Sequence, residues 1–218
     1  MPDGFFDLLI NASESKSSAI LTGVWDRMAA VEYGGDALSF GVRFKPIALD
    51  IIRAASINGL VNTAADIELK DLGLNKNRIL DYIHAGMIDR LIEYLDNSLI
   101  KLFGEKAPND KNMAVFKLIE KNKGIIPIRK IEELTGISAR QIHRIVSAKL
   151  GISAKEYINI VRFHEILGNT LIDPADIWGY YDQSHFIREF KKFTGKTPQS
   201  LDLKGDVRFI QYCEKFNR

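Results

Sequence analysis

The chain has 218 residues, 46% hydrophobic and 27% charged, with a formal net charge of +2, which suits one large or two modest globular domains with ample material for a core. Its single cysteine, Cys213, excludes an intrachain disulfide and any CxxC metal or redox motif. The longest apolar runs fall short of the ~20 residues that cross a bilayer, and the N-terminus lacks the basic, apolar, small-residue order of a signal peptide, so the expected location is cytoplasmic with no membrane partner.

In chain order, Phe5–Ile10, Ala19–Trp25 and Leu38–Phe44 are short apolar runs bounded by Gly, Asp, Asn and Ser, the pattern of strands in a small sheet. Pro46 is placed to open a helix over Ile47–Arg53, and residues 57–73 carry no decisive pattern. From Lys76 the apolar spacing turns helical: Ile79, Leu80 and Ile83, then Ile88, Leu91, Ile92, Leu95, Leu99, Ile100 and Leu102, with a break near Gly86. That second stripe reads either as core packing or as a dimer seam. Gly104–Lys111 is polar with Gly and Pro, which places a linker there.

Beyond the linker, Ile128–Val146 spells helix, tight turn, helix: Ile131 and Leu134 give a short apolar face, Gly136 supplies the positive φ that ends one helix, and Ser138 caps the next. Ile142, Ile145 and Val146 point inward, which leaves Arg140, Gln141, His143 and Arg144 to face outward. A rod-like helix from Ala154 to about Leu167 follows, with Tyr157, Ile158, Val161, Phe163 and Leu167 as inward candidates. The run Gly179–Pro198 repeats the design, since Phe186, Phe190 and Phe193 recur at i, i+4, i+7 and leave Gln183, Ser184, Arg188, Lys191 and Lys192 on other faces. Gln and Arg can pair two-pronged with base edges, whereas lysines suit phosphates.

Two such units around one intervening helix resemble the DNA-binding domain of the AraC/XylS family of transcription regulators over about residues 112–201. The resemblance rests on Thr135-Gly136-Ile137-Ser138 with Ile142-His143-Arg144, on Leu150–Tyr157 with Arg162-Phe163, and on the Gly179–Pro198 run. It implies base contacts from Arg140, His143 and Arg144 in the first unit and from Gln183, Ser184 and Arg188 in the second. Phosphate contacts are expected from Ser138, Gln141, Lys149, His185, Lys191, Lys192 and Lys196, with bracing of the turn as the other role for His185. The stretch from Arg162 to Gly179 is roughly half a dozen residues shorter than the family pattern, so either the second unit is trimmed or a loop is lacking. Pro2–Leu8 and Phe40–Pro46 are similar to the partly cupin-like sensor domain of some members of the family.

The expected fold class is therefore α+β: a small N-terminal sheet with helices, then an all-α domain of two helix-turn-helix units on a linker helix. The expected organisation is a sensor or dimerisation domain at 1–105, a linker at 106–111, the DNA-binding domain at 112–201 and a tail helix at 202–218. Charge follows that division, with 11 Lys and Arg against 15 Asp and Glu in residues 1–107 and 15 against 10 in residues 108–201. Enzymatic constellations are absent from the sequence. Among the first 45 residues there is no histidine, which deprives a metal-binding cupin of ligands, and no phosphate loop or His-Glu-x-x-His occurs. The reading is a bacterial-type transcription regulator without catalysis, metal or cofactor. Its partners are double-stranded promoter DNA, the transcription machinery, a small-molecule effector and a second copy of the chain. Trp25, Tyr33, Phe40 and Phe44 are candidates for an effector pocket or for plain core. The competing reading is an enzyme or carrier domain tethered to nucleic acid by a basic helical module.

Overall fold

The computed structural model describes residues 2–12, 17–28, 38–48, 59–104, 111–168, 180 and 182–200. Strands β1 (Phe6–Ala12), β2 (Ser17–Thr22), β3 (Leu38–Phe44) and β4 (Ala64–Asp66) form one antiparallel sheet in the order β3-β1-β2-β4. Alternation places Phe6, Leu8, Ile10 and Ala12 of β1 on the buried face and Asp7, Leu9 and Asn11 on the other. Across the strands Leu8 faces Leu21 and Val42, and Phe6 stacks on Phe44 with 5.3 Å between ring centroids.

The sequence pattern runs β2 through Trp25, but the strand stops at Thr22. Gly23 bonds to the Thr63 carbonyl and lies so close to Leu60 that no side chain fits there, and Val24 turns away from the sheet. The short β4 falls in the stretch without a decisive pattern. After Pro46 the described backbone is one 3-10 turn, Pro46–Ala48, and the remainder of the expected helix to Arg53 lies outside the described residues, as do nearly all of the linker and the whole tail. Helices α1 (Lys76–His84) and α2 (Ile88–Gly104) flank a tight turn at Gly86, where φ is 65°. Leu91, Leu95 and Leu99 of α2 join Ile79 and Ile83 of α1 against the sheet, while Ile88 and Ile100, read into the same stripe, are exposed.

The helical part comprises α3 (Lys111–Lys121), α4 (Ile128–Thr135), α5 (Ala139–Leu150), α6 (Ala154–Gly168) and α7 (Gln183–Thr194). One apolar cluster runs from Met113 of α3 to Phe193 of α7 and includes Val24 from the sheet region. Leu134 differs from expectation: Ile131 is 0% exposed and Leu134 57%, because an eight-residue helix seated on one side offers the cluster only a narrow stripe. Helix α6 buries Ile160 and Ile166 in addition to Tyr157, Ile158, Val161 and Phe163, so its apolar side is wide, while Lys155 stays exposed.

Sheet and helices touch directly. Gly4, at φ 69°, lies against Tyr157 and Ile160; Phe5 meets His164 edge to face at 5.4 Å; the Met28 amide donates to the Phe193 carbonyl at 2.7 Å; and Lys45 pairs with Glu120 at 3.6 Å.

Candidate nucleic-acid interface

Helix α4 ends at Gly136, whose φ of 69° turns the chain without the steric cost a Cβ would impose. Thr135 Oγ1 holds the corner by donating to the Ile131 carbonyl at 2.7 Å and accepting from the Ile137 amide at 3.2 Å. Ser138 then opens α5 with a capping box: its hydroxyl accepts from the Gln141 amide at 3.3 Å, and Gln141 Oε1 accepts from the Ser138 amide at 3.2 Å and hydroxyl at 3.1 Å. Ile142, Val146 and Leu150 anchor the inner face, with Ile145 half-buried. Arg140, Gln141, His143 and Arg144 are exposed on the outer side. Ser138, expected at a phosphate, already spends its hydroxyl hydrogen in the cap, whereas Gln141 engages only its carboxamide oxygen there and keeps its amide hydrogens for a phosphate. Lys149 is half-buried on the last turn.

The second unit is built on aromatics. Phe163 of α6 packs edge to face with Phe190 at 5.5 Å and tilted against Phe193 at 4.7 Å, and Phe186 meets Phe190 at 5.6 Å. The helix begins at Asp182, whose carboxylate accepts from the His185 amide at 2.7 Å; the sequence points to the glycine turn, but the cap is this acid three residues on. Gln183, Ser184, Arg188 and Lys191 are exposed. His185 is half-buried, its ring 5.3 Å from that of Tyr180 and its Nδ1 sealed from solvent, so it takes the bracing position rather than one facing outward. Lys192 leans back, its ammonium 3.9 Å from Glu156 and 5.6 Å above the Phe193 ring, while Lys196 is exposed past the helix end at Gly195.

Sequence reasoning passed over the polar residues between the two units. Asn159 and Arg162 are half-buried on α6 amid apolar neighbours; Asn159 bonds to Glu189 of α7, and Arg162 bonds to the Gly124 carbonyl before α4. The signal was present: a polar residue set among buried apolar ones on a helix has a partner to find.

Among the described residues no cluster of three or more His, Cys, Asp or Glu could hold a metal, and no helix is long and apolar enough to cross a membrane. Comparison with curated proteins and with solved structures returns no match. Residues 132–202 match a family model described as a helix-turn-helix domain, a stretch that runs from the second half of α4 to past the end of α7. These residues form an AraC/XylS-family C-terminal DNA-binding domain, and the chain that carries it is a DNA-binding transcription regulator.

Proposed function

We propose that the protein is a sequence-specific regulator whose α5 and α7 enter successive major grooves of one promoter site, about 34 Å apart on one face of the duplex. Arg140, His143 and Arg144 read bases in one groove, and Gln183, Ser184 and Arg188 read them in the other. Lys149, Lys191, Lys192 and Lys196 contact phosphates, joined by Ser138, Gln141 and His185 to the extent that their internal bonds allow. The part up to residue 105 senses a small molecule or joins two copies of the chain, and the basic part from residue 112 to residue 201 carries the DNA contacts.

One observation carries this reading. Both helices bury their apolar stripes in a single shared cluster while Arg140, His143, Arg144, Gln183, Ser184 and Arg188 stand exposed. Exposed guanidinium groups on helices so firmly anchored can give up water for a base edge without rearranging the scaffold.

Selection from a random DNA pool, followed by titration of the selected duplex and of random duplex, tests it. Replacing Arg144 with alanine should cost about 1 to 3 kcal/mol on the selected sequence, roughly 5- to 150-fold, and far less on random duplex. An equal loss on both would favour a basic tether that carries some other activity to nucleic acid.

A further inference from the structure

Arg162 of α6 joins the turn before the first helix-turn-helix unit to the start of the second. Its Nε and Nη2 donate to the Gly124 carbonyl, each at 3.1 Å, in the turn that leads into the first unit. The face of the same guanidinium lies over Tyr180, 5.3 Å from the ring centroid, and Tyr180 packs on Phe186 at 5.3 Å and on His185 in the first turn of α7. One turn earlier, Asn159 Nδ2 donates to Glu189 Oε1 at 2.5 Å. The other Glu189 oxygen and the Tyr180 hydroxyl are both sealed from solvent. They are near enough that the carboxylate's charge adds to burial in pushing the phenol upward.

As a source of stability a polar cluster of this kind gains little over apolar residues of the same size. Its use is directional. The apolar contacts of Phe163 with Phe190 and Phe193 hold α7 in place without strong directionality, whereas the Asn159–Glu189 bond and the Arg162 fork each hold over a narrow range of angles. A roll of about 30° carries a side chain roughly 6 Å from the helix axis through about 3 Å, enough to take Arg188, next to Glu189 in the chain, off a base edge.

We propose that Arg162, Asn159 and Glu189 are positioning residues that fix the rotation of α7 relative to the first unit, and so set the spacing at which the two DNA subsites are read. The proposal rests on the two-groove reading above.

The test uses the full chain with Arg162→Lys, Asn159→Leu, Glu189→Ala and Glu189→Gln, after thermal melts establish that each folds. Each is titrated on a duplex with both selected subsites, on duplexes with the spacing changed by one base pair either way, and on a duplex with the second subsite scrambled. For Arg162→Lys, Asn159→Leu and Glu189→Ala, affinity for the intact site should fall about tenfold while affinity for the scrambled duplex stays within about twofold of wild type. The preference for the selected spacing should largely disappear, and Glu189→Gln, which keeps an acceptor for Asn159, should restore much of it. Unchanged spacing preference in the folded variants, or an equal loss on all duplexes, overturns the proposal. The wild-type arm reports on the reading beneath it: selection of no paired subsites overturns the two-groove assignment and the junction's role with it.

Discussion

Asp3 sits where charge and burial conflict most openly in the sheet region. Burial raises its carboxyl from 3.8 to about 6, against the attraction of Arg43, whose Nη2 lies 2.8 Å away. A raised acid binds its proton more tightly in the folded state, so the contribution is fully present below the unfolded value of 3.8 and is lost as pH climbs through about 6. The shift bounds the loss at about 3 kcal/mol. His164, which touches the adjacent Phe5, acts in the opposite sense: burial lowers it, so its contribution is present above the unfolded value of 6.5 and lost as pH falls through its lowered folded value. Asp3→Asn keeps an acceptor for the Phe5 amide and leaves Arg43 its forked pair with Asp7. The variant should gain several degrees in melting temperature over wild type near pH 7 and lose that advantage near pH 4, and parallel melting curves across the window would exclude the buried carboxyl as the cause. At this scale the outward polar residues of α5 and α7 were legible, because helical spacing alone decides which side chains the buried Ile and Phe leave outside. His185 reads ambiguously because its direction depends on Tyr180, a contact the local pattern does not contain.

Two glycines separate local from tertiary demands on the elements. Gly136 and Gly124 have nearly the same φ, 69° and 66°, but a Cβ on Gly136 would meet open space, while one on Gly124 would come within 2.6 Å of the Arg162 amide nitrogen. Gly136→Ala should therefore cost about 1 to 2 kcal/mol, the left-handed backbone alone. Gly124→Ala should cost about 3 kcal/mol or more, since α6 must move as well; chemical denaturation of the pair measures the difference, and equal costs would mean that the turn and α6 separate freely. The sequence announces Gly136 by placing it between an apolar-periodic segment and a capping serine, but nothing near Gly124 announces the helix that presses on it. The same division runs through the other elements. Periodicity and punctuation locate α1, α2, α4 to α7 and three strands, whereas the three-residue β4 is too short to show a period and exists through its pairing with β2.

Across the whole molecule, contacts between sheet and helices join residues far apart in the chain, such as Gly4 with Tyr157 and Met28 with Phe193. No local pattern encodes them; Val24 looks like the end of a strand and becomes part of the helical core. Charge asymmetry was visible from composition, and with the residues proposed to read DNA exposed it has a measurable consequence. Lys191 is exposed, so Lys191→Ala should reduce the slope of log affinity against log salt by about one. Lys192→Ala should reduce it less, because that ammonium is drawn toward Glu156 and Phe193. Equal effects in salt titrations would show that Lys192 leaves those neighbours on binding.

The link from Val24 to Met28 also places an indole at the seam. Trp25 is half-buried between a residue sealed in the helical core and one bonded to the end of α7, and the chain has one other tryptophan, Trp178. With Trp178 replaced by phenylalanine, light emitted by Trp25 reports how wet that seam is. The protein thus carries its own optical gauge of whether its sheet and its helices are in contact, readable without a label while an effector or a duplex is added.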